Sequence, residues 1–238
     1  MQAIILAGGK GSRLHPYTVA MPKPLVPVGD LPILEVVIRQ LKHYGINEII
    51  ISTGHLAELI EAYFKNGRKW GVKIRYVREM QPLGTAGAIK NISSLKDDFI
   101  VMNGDVLTDI NYNKLFNFHL KHKGIATLSI IKKEVSVDFG VIEVSSDLKL
   151  TDYIEKPKHF NYVSMGIYAL NKKCKKYIAK NEHINIPDLV LRMKCKDENI
   201  YCYEPHCYWL DIGRIDDFQM AQGEFIKNKK KFLYGQEY

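Results

Sequence analysis

Three glycines in four residues, Gly8-Gly9-Lys10-Gly11, interrupt the chain directly after the apolar run Ala3-Ile-Ile-Leu-Ala7. A short apolar run that ends in turn residues fits a buried strand. The glycines that follow leave backbone amides bare and permit angles closed to other residues, so phosphate oxygens can approach closely. Arg13 comes next, and Lys23 lies ten residues further on, between Pro22 and Pro24. A planar guanidinium fork and a compact ammonium both suit phosphate oxygens. The prolines fix their own φ and restrict their neighbours, so Lys23 rests on stiffened backbone. Strand, bare turn and two cations together describe a cradle fitted to a triphosphate.

Two common phosphate-binding patterns are excluded. No Gly-Lys-Ser/Thr follows at the spacing of a P-loop. Gly9-Lys-Gly11 begins a dinucleotide fingerprint, but Leu14 occupies its third glycine position, and the second strand ends in Ser52-Thr53 rather than an acid.

At 238 residues the chain fits one large domain able to bury a sizeable core. We place that domain at residues 1–228 and read 229–238 as a basic tail. The net charge of +8 is spread along the sequence, and its densest run, Lys227-Asn-Lys-Lys-Lys-Phe232, reads as a solvated tail. Nucleic-acid binding is therefore not expected. No apolar stretch approaches the roughly 20 residues that cross a bilayer, and the N-terminus lacks a signal-peptide pattern. The expectation is a cytoplasmic protein with no membrane partner, whose exposed apolar helix faces leave room for a homodimer. Cys174, Cys195, Cys202 and Cys207 form no CxxC pair. The spacing of Cys202, His206 and Cys207 fits no usual zinc site, since a strand would point neighbours to opposite faces.

Strands are expected at 2–7, 49–51, 72–77 and 99–102, with helices between them. One helix carries Ile33, Leu34, Val37, Ile38, Leu41 and Tyr44 on a single face. The next presents Leu56, Leu59, Ile60 and Tyr63, and a short one covers 86–92. Apolar strands separated by helices imply a mostly parallel sheet covered on both faces. After a helix near 112–122 come strands at 125–131, 139–144, 149–154, 163–170, 200–204 and 207–210, then a last helix over 214–227. His43, His119 and His122 are read as solvated on helix surfaces, and Trp70 and Trp209 as packing residues.

Leu6-Ala-Gly-Gly-Lys-Gly-Ser-Arg-Leu14 with Pro22-Lys-Pro24 resembles the signature of the sugar-1-phosphate nucleotidyltransferases. The resemblance continues, in the family's order, through Pro82-Leu-Gly-Thr-Ala-Gly87, Asn103-Gly-Asp105, Phe139-Gly-Val141, Glu155-Lys-Pro157, Met165-Gly-Ile-Tyr168 and Tyr208-Trp-Leu-Asp-Ile-Gly213. Ser12 stands where the family usually has Thr, and keeps the hydroxyl. The wording of the 82–87 segment looks most like the branch that uses GTP with mannose- or heptose-type phosphates.

Nucleotidyl transfer brings an anionic phosphate against an anionic triphosphate, so positioning and charge neutralisation do most of the work, usually with Mg²⁺. Mg²⁺ needs only one or two protein carboxylates. Asp105 and Asp211, each at a strand end, could on their own be turn or cap aspartates. The resemblance makes them the metal pair, with Asp109 left as a helix cap. It also implies nucleotide contacts at Leu6, Ala7, Gly8, Gly9, Gly11, Ser12, Gly84, Thr85 and either Glu79 or Gln81. The sugar phosphate is assigned to Gly140, Glu155, Lys156 and Gly166, and catalysis to Arg13 and Lys23. Ser164 replaces a common Asn near that last glycine.

The expected protein is α/β: a Rossmann-like, mostly parallel sheet with helices on both faces, extended by a mixed β part that binds sugar. The expected reaction joins a nucleoside triphosphate, GTP by wording, to a sugar 1-phosphate and releases pyrophosphate. UTP, dTTP or CTP is the alternative donor. A silent nucleotide-binding module is the alternative of another class, and it has no need to keep Arg13, Lys23, Asp105, Lys156 and Asp211 together.

Overall fold

β1 (Gln2–Ala7) lies in the middle of the molecule because alternate residues have different neighbours to cover them. Ala3 and Ile5 enter one apolar cluster while Ile4 enters another, on the opposite face of the sheet. A strand apolar on both faces has to be covered by helices on both. In the computed structural model, which describes residues 1–79 and 81–235, this is what the following elements do.

After β1, a small antiparallel ribbon of β2 (Pro27–Val28) and β3 (Leu31–Pro32) leads into α1 (Ile33–His43). Then come β4 (Glu48–Thr53), α2 (Ala57–Phe64), β5 (Lys73–Arg78), α3 (Gly84–Asn91), β6 (Asp98–Asn103), β7 (Val106–Thr108) and α4 (Tyr112–His122). The second half comprises β8 (Ala126–Ser136), β9 (Val141–Val144), β10 (Leu150–Ile154), β11 (Lys158–Asn171), α5 (Ile186–Lys194), β12 (Ile200–Tyr203), β13 (Trp209–Asp211) and α6 (Ile215–Phe232). Seven strands form one sheet in the order β12-β8-β11-β6-β1-β4-β5. β1, β4, β5 and β6 run parallel, as does β12 beside β8, while β11 is antiparallel to both β6 and β8. The expected parallel sheet with a mixed extension is thus the fold observed.

Helices α1, α2 and α4 cover one face, and α3 and α5 the other. Each fully buried Leu, Ile or Phe contributes about 1.5–3 kcal/mol relative to an exposed one. A third cluster joins α6 to the glycine-loop side through Leu14, Val28, Phe218 and Phe225. β9 and β10 form a separate hairpin in which Ile142, Val144, Leu150 and Tyr153 are exposed.

The structure corrects several expectations. The buried face of α2 is Ala57, Ile60 and Phe64, whereas Leu59 and Tyr63 are each 40% exposed. α5 was not anticipated, although Asp188 accepts a hydrogen bond from the Asn185 amide at its start. The boundary expected at 228 falls inside α6, which kinks at Asn228 and continues to Phe232. Phe232 and Leu233 are buried, so this segment is anchored to the core rather than a free tail, although Lys230 and Lys231 stay exposed, and 236–238 lie outside the described residues. His119 is also buried, with Nδ1 at 2.9 Å from Thr127 Oγ1 and Nε2 at 3.2 Å from Asp98 Oδ1.

Burial holds the His119 imidazole below its ordinary value of 6.5, against the pull of Asp98. The unfolded chain therefore binds the extra proton first as the solution is acidified, and stability falls as pH drops through 6.5 towards the folded value. Guanidinium unfolding midpoints measured between about pH 7 and pH 5 should show this decline, and a His119→Gln variant should show a shallower one.

Candidate functional site

The C-terminal ends of β1, β4 and β6 lie side by side, because Leu6 pairs with Ser52 on one flank and with Asn103 on the other. Open α/β sheets bind ligands at this edge. Gly8 and Gly54 follow the first two of these strands, and a Cβ on Gly54 would stand 2.7 Å from the Gly8 carbonyl oxygen. Only glycine permits that approach. On the third strand the Gly104 amide donates to Leu6 O at 3.0 Å, which holds the turn leading to Asp105 against β1.

Gly11 has φ +64°, the left-handed region, and a Cβ there would meet Lys23 Cβ and Thr18 Cγ2, each at 3.0 Å. Thr18 Oγ1 donates to Gly11 O at 2.8 Å, so the glycine turn and the Lys23 segment are folded onto one another. Arg13 stands on a single 3₁₀ turn, Ser12–Leu14, anchored by buried Leu14. Lys23 opens a second 3₁₀ turn, Lys23–Leu25, in which Pro24 is buried. The stiffening expected from the flanking prolines is therefore realised as a packed turn.

Lys23 Nζ makes a close ion pair with Asp105 Oδ2, and their side chains are only 13% and 19% exposed. Asp105 Oδ1 is buried without a hydrogen-bond partner among the described residues. Asp211, the last residue of β13, pairs across the β7–β13 ribbon with Val106, and the Ile212 amide donates to Asp105 O at 3.1 Å. Burial raises the Asp211 carboxyl above its ordinary 3.8; nearby Asp105 adds to this, and Lys23 and Arg13 oppose it. Asp211 and Arg13 also meet at Gly213, where a Cβ would lie 3.1 Å from Asp211 Oδ2 and 3.6 Å from Arg13 Nη1. Two cations and two acids thus converge on one point.

A cavity of about 590 Å³ opens over this point, within the usual range for a small-molecule site. Leu6 to Arg13, Lys23, Glu79, Gln81, Gly84, Thr85 and Asp105 all line it. The Glu79 carboxylate accepts from Ser52 Oγ at 2.6 Å and from the Leu83 amide at 3.0 Å, so it ties Leu83 to β4. Thr85 Oγ1 accepts from the Ile186 amide at 2.8 Å, and Gly84, at φ +71°, packs against Ile184 O. The small residues that start α3 are thus required by close packing on the 182–186 segment, and they border the cavity as well.

The sugar-side residues are not gathered in the same way. Gly140 packs beneath the Tyr153 ring in the β9–β10 hairpin, and Glu155 and Lys156 are exposed beyond its end, outside the cavity. Gly166 sits at an irregularity in β11, with φ +70° and a Cβ position 2.6 Å from Asn103 Nδ2. It packs against Asn103, which lines the cavity, without lining the cavity itself. Sequence reasoning overlooked His55 and His183, which both line the cavity. His55 follows a strand end, where such residues are sought, whereas His183 lies in a loop that carries no local signal.

The sequence matches the family model described as "Nucleotidyl transferase" over residues 2–228. It is 32% identical over 227 residues to a D-glycero-alpha-D-manno-heptose 1-phosphate guanylyltransferase of Aneurinibacillus thermoaerophilus, covering 94% of this chain and 98% of that protein. It is 29% identical to a mannose-1-phosphate guanylyltransferase of Mycobacterium tuberculosis, covering 95% of this chain but 65% of that longer relative. Among solved structures, HddC from Yersinia pseudotuberculosis complexed with GMP-PN superposes with a TM-score of 0.72 at 26% identity, covering 94% and 99% of the two chains. A match running almost end to end, over a cleft where the cations and acids meet, leads to one assignment: the chain belongs to the nucleotidyl transferase family.

Proposed function

We propose that the cavity binds a nucleoside triphosphate, with its phosphates on the Gly8–Ser12 turn, and joins the nucleotide to a sugar 1-phosphate with release of pyrophosphate. The observation that carries this reading is the Lys23–Asp105 pair beside the glycine turn, where a cation and an acid with a free buried oxygen stand together. Arg13 and Lys23 neutralise the triphosphate and the leaving pyrophosphate. The acceptor phosphate oxygen attacks the α-phosphorus in line, and positioning and electrostatics supply the acceleration without a covalent enzyme intermediate.

Asp105 and Asp211 are suited to hold Mg²⁺. The unpartnered Asp105 oxygen offers a ligand, and no cluster of three or more His, Cys, Asp or Glu side chains surrounds it among the described residues. Such a sparse donor set fits an ion that takes most of its shell from phosphates and water. When bound, the ion supplies further neutralisation of the phosphate charge. GTP is the favoured donor and a mannose- or heptose-type phosphate the favoured acceptor, from the names of the two relatives above. No helix among the described residues is long and apolar enough to cross a membrane, and the four cysteines are free.

Pyrophosphate release with each of four nucleoside triphosphates and a panel of sugar 1-phosphates tests this directly. GTP with a manno-configured acceptor should give the highest kcat/KM, and Lys23→Ala should lose on the order of a hundredfold or more in kcat while remaining folded. Release that is fastest with UTP or dTTP would reassign the donor, and full turnover by Lys23→Ala would remove the cation from the mechanism.

Asp211→Asn relieves a buried, crowded charge. We expect it to abolish turnover yet raise Tm by about 2–4 °C in differential scanning calorimetry. Lys156→Ala should raise KM for the sugar phosphate by about tenfold and leave KM for the nucleotide unchanged. If neither constant moves, Lys156 does not belong to the acceptor site.

A further inference from the structure

The ribbon that carries the two acids is short. β7 and β13 contribute three residues each and pair only with one another, in the register Trp209–Thr108, Leu210–Leu107 and Asp211–Val106. A two-stranded ribbon of this size is marginal in water by itself, and a slip of one residue would turn Asp211 to the opposite face. Val106 and Leu107 are buried in clusters on opposite faces of the ribbon, which decides the side each residue faces. How firmly the short ribbon is held also depends on its two ends.

One end carries Asp105 and Asp211. At the other, Asp109 Oδ1 accepts from the Tyr208 amide at 2.6 Å, and Asp109 Oδ2 pairs with Lys231 Nζ at 2.6 Å. Asp109 is not the helix cap expected from sequence; Asn111 fills that role for α4. Thr108 Oγ1 donates to Tyr208 O at 2.6 Å. Gln40 Nε2, from α1, donates to Thr108 O at 2.7 Å and to Phe232 O at 3.1 Å. Lys231 reaches Asp109 because α6 kinks at Asn228 and because the segment beyond is pinned by buried Phe232 and Leu233 and by Tyr234 stacked on His43 at 3.9 Å. These residues lie beyond position 228, where the family match ends.

We propose that the last turn of α6 is a positioning element for the transfer site: Lys231, acting through Asp109, holds the far end of the β7–β13 ribbon in place and so steadies Asp211 beside Asp105. Lys231, within the basic run near the C-terminus, is then a clamp on the catalytic ribbon rather than part of a solvated tail. This rests on the reading of Asp105 and Asp211 given above. Lys231 and Asp109 are positioning residues and need touch neither substrate.

The test uses the full chain with Lys231→Ala, whose side chain is 54% exposed and whose loss leaves the core intact. Amide hydrogen exchange of the free protein should speed up about tenfold or more across 208–213 while β1 amides stay unchanged. Mn²⁺ affinity in the presence of nucleotide, followed by electron paramagnetic resonance, should weaken several-fold. The kcat should fall about tenfold with KM for nucleotide within about twofold, and Lys231→Arg should restore all three readouts. Exchange and kcat within twofold of the parent, or faster exchange spread equally over β1, would overturn the proposal. The two failures are separable. Full turnover by Asp211→Asn would remove the acid reading and the clamp's purpose together. An inactive Asp211→Asn beside a Lys231→Ala protein with parental exchange and kcat would remove the clamp alone.

Discussion

The pairing of Lys23 with Asp105 is the constraint around which the molecule is arranged. Both side chains are largely removed from water, so each would be costly to leave alone. Their meeting requires three separate pieces of chain to arrive together: the end of β6, the proline-flanked 3₁₀ turn, and the glycine turn that backs it through Gly11 and Thr18. Asp211 adds a second acid from a distant part of the sequence, its carboxyl raised chiefly by burial and further by the charge of Asp105. Two cations and two acids held this close are the basis of the proposed binding of a polyphosphate with its cation.

The glycines around the cavity serve two distinct purposes. Gly54, Gly84 and Gly87 are required because neighbouring backbone lies where a Cβ would stand. Gly9 has nothing near its missing side chain, which leaves its backbone open towards the cavity. Packing glycines set the shape of the cleft, and an open one offers amides within it. A motif spells both kinds identically.

Much of this is legible in the sequence. The buried strand, the glycine turn and the supported lysine could be read locally, since glycine and proline act on the backbone wherever they occur. The helical faces were less secure. On α2 the apolar residues cover so much of the surface that two overlapping stripes, Leu59 with Tyr63 and Ala57 with Ile60 and Phe64, satisfy the same period; only the sheet beneath selects the second. His119 was misread because a polar residue on a helix looks solvated until Asp98 and Thr127 are brought to it from two strands. The basic run at 227–232 was misread because charge density alone does not reveal that Phe232 and Leu233 anchor it.

The sequence by itself determined the local chemistry: which backbone turns are bare, which cations stand on rigid supports, and which strands must be buried on both faces. These follow from single residues and short periods, and they hold in any fold the chain adopts. The tertiary structure alone decided which charges meet. The nearness of Asp211 to Asp105, the pairing of Lys231 with Asp109 and the place of His183 in the cleft all join segments far apart along the chain, and their geometry is set by strand order and helix packing rather than by any neighbouring residue. It also placed Glu155 and Lys156 at the end of an exposed hairpin, because a two-stranded element with no sheet to join takes its position from its connections to β8 and β11.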